Sequence, residues 1–161
     1  MNIKRVLIAL FVLSLLIGCV NATNVKDFKI NGPVKELSSN DNYVVYIDNN
    51  NDAGLAIYRI TDKVRDDHED DDDAIDNFVH DDGDNYLIAD DDVHITKNSD
   101  NTANFTDSDH STRGISEVID HNGEKHVVVF WSKNSSDMNM DKLLTAIHKF
   151  NNDNNVTPIT F

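Results

Sequence analysis

The chain has 161 residues, 29 acidic and 14 basic, and its formal charge of −15 excludes nucleic acid as a partner because such a surface repels phosphates. Asp supplies 25 of the acids and is joined by 21 Asn, and both residue types favour turns and caps because their short side chains bond the nearby backbone. The 39% of apolar residues can form the core of one ordinary domain.

The N-terminus has the order of an export signal. Lys4 and Arg5 precede an apolar run over residues 6–20. Fifteen helical residues would reach only about 22 Å, which is short of the roughly 30 Å hydrocarbon core of a membrane. We therefore expect residues 1–22 to be an export or lipoprotein signal and the chain to act outside the cytoplasm.

Two cleavage sites compete within this signal. Leu16-Ile17-Gly18-Cys19 resembles the lipobox of prokaryotic lipoproteins, and the resemblance implies that Cys19 becomes the lipid-modified first residue. Val20-Asn21-Ala22 has the character of an ordinary signal-peptidase site, which would leave Thr23 as a secreted terminus. Cys19 is the only cysteine of the chain and favours lipidation. Either cut leaves 12 basic and 29 acidic residues, a charge of −17, and no cysteine for a disulfide.

The rest of the chain divides into a polar approach over residues 23–42, with a turn at Gly32-Pro33, and a single domain over 43–161. In that domain, residues 43–47 and 55–60 are rich in Tyr and β-branched residues, which predicts a hairpin with a long loop. An acidic loop over residues 62–76 follows, too charged to pack. Short strands are then predicted at residues 78–79, 86–89, 93–96 and 103–106.

The strongest structural signal is Asn122-Gly123, the preferred pair for a two-residue type I′ turn, between β-prone residues 114–121 and 124–132. The register places Asp120 opposite Lys125, His121 opposite Glu124 and Val118 opposite Val127. We take His121 and His126 to point to opposite faces of this hairpin. Residues 127–131 are apolar on both faces, which predicts a central strand covered on both sides.

The last element is an amphipathic helix over residues 140–150, with Met140, Leu143, Leu144, Ile147 and Phe150 on one side. Ser136 or Asp137 could cap its start, residues 151–155 could end it in a left-handed conformation, and Pro158 prevents its resumption. The predicted fold class is therefore α+β, a small antiparallel sheet of five to seven short strands with one C-terminal helix packed on it.

Two places have the ligands of a weak Ca²⁺ site. Asp48, Asn50 and Asp52 alternate as in a calcium loop, although Ala53 and Arg59 stand where an EF-hand requires Gly and Glu. We favour an ordinary Asn-rich hairpin turn over a Ca²⁺ loop here. The second place is the acidic tract 66–73, where the candidate ligands are Asp66, Asp67, Asp70, Asp71, Asp72 and Asp73; solvated repulsion is its ordinary role. No other cofactor is expected.

No catalytic motif is present. The chain lacks G-x-S-x-G, Walker A, G-x-G-x-x-G and H-E-x-x-H sequences, and its seven His are scattered. The cluster at residues 107–111 contains the residue types of a serine hydrolase, but triad members normally come from separate elements, so a turn is favoured. We expect a non-catalytic envelope domain that acts by surface contact with an envelope partner or as an acidic coat. Weak Ca²⁺ binding is the alternative.

Sequons at Asn21, Asn104, Asn134 and Asn155 could carry glycans in an exported protein, of which Asn104, Asn134 and Asn155 lie in the domain. Chance sequons are expected in a chain with so much Asn.

Overall fold

The computed structural model describes residues 24–50, 52–60, 93–98, 102–107, 111–133 and 139–159. These ranges hold the strands β1 (Val34–Ser39), β2 (Tyr43–Asp48), β3 (Ala53–Arg59), β4 (Val93–Lys97), β5 (Thr102–Asp107), β6 (Thr112–His121) and β7 (Glu124–Lys133), followed by the helix α1 (Met140–Asn154) and the strand β8 (Thr157–Pro158).

All eight strands pair antiparallel in one open sheet. Its order is β1-β2-β3-β7-β6-β5-β4, and β8 pairs with β6 at Ile119 and Asp120, beyond the part of β6 that β5 occupies. The predicted class, an antiparallel sheet with one C-terminal helix, is confirmed. The predicted count of five to seven strands is too low, because the short strands β1 and β8 have no clear apolar alternation. The strands expected at 78–79 and 86–89 lie outside the described residues.

The Asn122-Gly123 hairpin forms as predicted. Asn122 has φ 57° and Gly123 φ 85°, the positive values that a type I′ turn requires, and the Asp120 side chain accepts a hydrogen bond from the Gly123 N–H at 3.0 Å. Asp120 lies opposite Lys125 and Val118 opposite Val127, as expected. The predicted β2–β3 hairpin is also confirmed, with Val45 opposite Ala56.

The strand β7 lies in the middle of the sheet and is buried on both sides, also as predicted. Val127, Val129 and Trp131 belong to one core cluster, on what we call the Trp131 face. Val128 belongs to the other, which contains Leu143, Ile147 and Phe150 of α1 and which we call the helix face. Alternation along the strand explains the division, because successive side chains point to opposite faces.

Two glycines make room for large rings on the Trp131 face. A Cβ at Gly54 would overlap the indole of Trp131, and a Cβ at Gly114 would overlap the ring of Phe105. Gly54 lies directly opposite Trp131 in the β3–β7 ladder, and Gly114 lies directly opposite Phe105 in the β5–β6 ladder. The rings therefore lie flat over backbone that any other residue would obstruct.

The helix α1 is confirmed at Met140 and extends four residues past the expected Phe150. Its N-cap is Asn139, whose side chain accepts a hydrogen bond from the Lys142 N–H at 3.0 Å, rather than Ser136 or Asp137, which lie outside the described residues. The helix ends at Asn155 in the left-handed conformation that the sequence predicts, with φ 52°.

The segment set apart as a polar approach contributes to both the sheet and the core. Its residues 34–39 form the edge strand β1, and Val25 and Phe28 are buried in the helix-face cluster at 0% and 5% exposure. A bulge at Leu37 interrupts the pairing of β1 with β2, and Leu37 is the large apolar side chain left exposed among the described residues. Such a bulge on an edge strand discourages pairing with another chain.

Candidate functional site

The loop between β2 and β3 uses its first acid to close the turn. One carboxylate oxygen of Asp48 accepts hydrogen bonds from the backbone N–H of Asp52 at 2.8 Å and of Ala53 at 3.3 Å. Asn50 is exposed on the same loop. The carboxylate that would lead a calcium loop therefore accepts two backbone hydrogen bonds that close the β2–β3 loop.

Within the described ranges, no three His, Cys, Asp or Glu side chains lie close enough together to hold a metal ion. The other proposed ligands, Asp66, Asp67, Asp70, Asp71, Asp72 and Asp73, lie outside those ranges, as do Cys19 and Asn134.

The two described sequons have different surroundings. Asn155 is the exposed C-cap of α1. Asn104 is half-buried on β5 and lines a cleft of about 270 Å³ with Thr102 and Met140, next to the first turns of α1. Asn155 is thus the more accessible of the two described glycan acceptors. The cleft is below the size of pockets that enclose drug-sized ligands.

The charge of the chain is concentrated in one stretch. Residues 61–92 contain 15 acidic and 2 basic residues, a net charge of −13. After removal of either predicted signal, the charge of −17 leaves only −4 for everything else in the chain. This stretch connects β3, an inner strand, to β4, a strand at the far edge of the sheet.

The helix face contains two buried ionisable side chains: Glu117, which the sequence analysis did not name, and His126, which it placed on the face opposite His121. Glu117 of β6 is 1% exposed and accepts a hydrogen bond from Nδ2 of Asn151, on α1, at 2.5 Å. His126 of β7 is 0% exposed. A signal for both was present in the hairpin register: Glu117 lies between Ile115 and Ile119 on one face of β6, and His126 lies opposite Ile119.

The prediction that His121 and His126 point to opposite faces is wrong. Residues directly opposite in an antiparallel pair share a face, and His126 lies opposite Ile119, two residues from His121. Both rings therefore lie on the helix face, and both contact the ring of Phe28, with centroid distances of 5.0 Å for His121 and 5.1 Å for His126.

Burial and charge act together on His126. Removal from water and the neighbouring charge of Arg59 lower the pKa of His126 to about 4, and the carboxylate of Glu124 and a hydrogen bond to the Glu124 backbone oppose this shift. Arg59 is the direct cross-strand neighbour of His126 on β3 and lies 3.7 Å from the carboxylate of Glu124. His126 is therefore neutral near pH 7, because an imidazolium would be buried beside another cation.

Comparison with known proteins identifies no relative: no family model, curated protein or solved structure matches this chain. The described residues contain no helix that is long and apolar enough to span a membrane.

Proposed function

We propose that this chain is an exported, non-catalytic domain of the cell envelope, whose sheet and helix present an acidic segment for contact with an envelope partner or as a negatively charged coat. The observation that carries the proposal is the separation of charge. A stretch of 32 residues has a net charge of −13 and joins two strands of a folded unit that is close to neutral.

The physical consequence of this separation is a scaffold that folds without repelling itself. Like charges spread through a domain destabilise its compact state, whereas charges confined to one connection leave the core unaffected. A dense negative surface also keeps a protein soluble and apart from other anionic surfaces. Export is supported by the charged and apolar order of residues 1–22, and attachment to the membrane by the position of Cys19.

Mass spectrometry of the N-terminus of the protein purified from cells tests the proposed export and lipid attachment. We expect a mature chain that begins at Cys19 and carries the added mass of lipid. A Cys19→Ser variant should lose that mass and leave the membrane fraction. A free Thr23 terminus would show a secreted domain and reject the anchor, and an intact Met1 in the soluble fraction would reject export altogether.

Light scattering at low salt tests whether the acidic tract makes the molecules repel one another, as a negatively charged coat would. A variant with the six Asp of the tract 66–73 changed to Asn should show weaker repulsion between molecules, measured as a lower second virial coefficient, at an unchanged melting temperature. The matched control changes Asn49 and Asn50 to Ser and should behave as the wild type. Equal virial coefficients in all three proteins would reject the coat.

The density of carboxylates in the tract 66–73 favours weak divalent-cation binding as a second proposed function. A site that binds the folded chain raises its stability by mass action. We therefore expect millimolar Ca²⁺ to raise the melting temperature relative to chelator, and the six-fold Asp→Asn variant to lose this rise. An identical melting temperature in Ca²⁺ and chelator would reject a folding-linked site.

A further inference from the structure

Phe28 joins three elements at one end of the helix face. Its ring lies 5.0 Å from His121, 5.1 Å from His126 and 5.5 Å from Phe150 of α1, measured between ring centroids. Phe28 is 5% exposed and covers His126, which is 0% exposed. The side chain of one short N-terminal segment thus closes the pocket of a buried histidine.

That segment, residues 24–31, is fastened to the end of α1 by side-chain hydrogen bonds rather than by a strand ladder. The Lys29 N–H donates to Oδ1 of Asn154 at 2.6 Å, and Nδ2 of Asn154 donates to the Lys29 carbonyl at 3.2 Å. Nδ2 of Asn31 donates to a carboxylate oxygen of Asp153 at 2.6 Å. Release of the segment would break these few bonds and expose the buried side chains of Val25 and Phe28, but it would break no strand ladder.

His126 has little polar support in this pocket. In the part of the chain that the structure describes, no side chain bonds either of its ring nitrogens, and the polar group that supports the protonated ring by a hydrogen bond is the backbone of Glu124 in its own strand. A neutral imidazole tolerates such a pocket at moderate cost, whereas a buried imidazolium with so little support does not.

Titratable and charged groups lie near His126 on three strands. β7 supplies Glu124, β3 supplies Arg59 and β6 supplies His121. The N-terminal segment has its charged residues, Lys26, Asp27 and Lys29, exposed to solvent, and α1 places Phe150 and the amide of Asn154 at this end. Glu124 is the acid among the charged groups that act on His126, and it already lies 3.7 Å from Arg59.

We propose that residues 24–31 form an acid-released clamp: a proton on His126 displaces Phe28 and frees this segment from the helix face while the sheet stays folded. The sheet side of His126 is fixed by the ladders to β3 and β6, so water reaches the imidazolium most easily from the Phe28 side. In the intact protein the freed segment is the part of the chain that follows the predicted signal. Acid would therefore lengthen the connection between the signal or anchor and the folded domain.

The direction and the pH window follow from linkage. The closed form holds His126 with a pKa of about 4, while the open form returns it to an ordinary value near 6.5, so the open form binds more protons between these two values. The clamp is closed at pH 7 and loosens as the pH falls. From pH 7 to pH 4.5 the equilibrium constant for opening should rise about fiftyfold.

Hydrogen exchange read by mass spectrometry on residues 23–161 tests the clamp, with rates corrected for the intrinsic effect of pH. We expect the peptide over 24–31 to be less protected than the β3 peptide over 53–59 at both pH values, because it opens without global unfolding, and its protection to fall about fiftyfold between pH 7 and pH 4.5. Equal protection of the two peptides at each pH would show that residues 24–31 open only by global unfolding and would reject the clamp.

A His126→Phe variant removes the titrating group and keeps an aromatic ring against Phe28. Its 24–31 peptide should show the same protection at both pH values. The matched control, His148→Gln on the exposed side of α1, should behave as the wild type. An unchanged pH dependence in His126→Phe would overturn the proposal.

A second variant keeps the test valid if the His126→Phe chain fails to fold. Phe28→Ala opens the pocket directly, so an NMR titration should find the pKa of His126 raised from about 4 toward the ordinary histidine value. The same low pKa in Phe28→Ala would show that Phe28 is not what excludes water, and would reject the clamp.

Discussion

The two ends of the helix face treat a buried ionisable side chain in opposite ways. Under α1, Glu117 receives a hydrogen bond from Asn151, so its side chain has a polar partner inside the core. At the hairpin end, His126 is packed against the ring of Phe28, and its polar support comes from the backbone of Glu124 in its own strand. One apolar face thus holds a polar group either by a hydrogen bond from a side chain on another element or by packing a ring over a neutral group.

Removal of the Phe28 ring, which packs on the hairpin end of the helix face, should cause the largest loss of stability. Phe28→Ala deletes a buried ring that contacts both histidines and Phe150, and we expect a loss of about 4 kcal/mol in the free energy of unfolding. Denaturant unfolding at pH 7 measures it. Leu37→Ala, which truncates an exposed side chain on β1, is the control and should change stability by less than about 0.5 kcal/mol. Similar losses in both variants would contradict the assignment of Phe28 to the core.

Removal of the Asn151 side chain, which bonds Glu117 under α1, should also lower the stability of the fold. Asn151→Ala leaves the buried Glu117 without the amide that lies 2.5 Å away, and a buried acceptor that loses its partner costs about 1–3 kcal/mol, so we expect a loss of about 2 kcal/mol. Asn152→Ala, the next residue on the exposed side of α1, is the matched control and should cost little. Equal stabilities of the two variants would show that the Asn151 side chain does not support Glu117.

Acid sharpens the comparison, because it acts on His126 through a lowered pKa. Above about pH 6.5 its stabilising effect is complete, and it is lost as the pH falls toward 4, since the unfolded chain then binds the proton and the folded chain does not. Between pH 7 and pH 4.5 the wild type should lose about 2 kcal/mol more than His126→Phe. Denaturant unfolding of both proteins at each pH isolates this difference from the titration of the many carboxyl groups. Identical losses would contradict a neutral, buried His126.

The smallest expected effect lies at the start of α1, away from both buried groups. Asn139→Ala removes the side chain that accepts from the Lys142 N–H, and we expect a loss of about 1 kcal/mol. Asn139→Asp keeps an accepting oxygen and should retain most of the stability. Thermal melts of the two variants measure the difference, and a loss in Asn139→Asp as large as in Asn139→Ala would argue against the cap.

Local patterns predicted the parts of this fold whose geometry is itself local. Asn122-Gly123 fixed the turn type and with it the pairing of β6 with β7, because a two-residue loop allows one register. The apolar spacing from Met140 onward predicted α1, and the Asn-rich run predicted its left-handed end. The N-cap was missed because Asn139 was not weighed against Ser136 and Asp137, although it stands immediately before the first apolar residue of the helix.

The register of β6 and β7 predicts the burial of Glu117 but not the identity of its partner. Alternation places Glu117 on the face of Ile115 and Ile119, which is a sequence signal for burial. Asn151, its partner, is 34 residues away on another element, and no spacing in the chain predicts that contact. The face shared by His121 and His126 follows from the predicted register by parity alone, so that error lay in the reasoning and not in the sequence.

By itself the sequence determined the class of fold, the central hairpin, the helix and the location of the negative charge, because each depends on neighbours along the chain. Tertiary structure decided which strands the polar segment 24–42 would join, what covers His126 and what bonds Glu117. Phe28 and His126 are almost 100 residues apart, and only the packing of the whole sheet brings an N-terminal ring over a histidine of β7. The pKa of that histidine depends on this cover and on the Arg59 side chain across the ladder, two neighbours that the fold supplies and that sequence spacing does not predict.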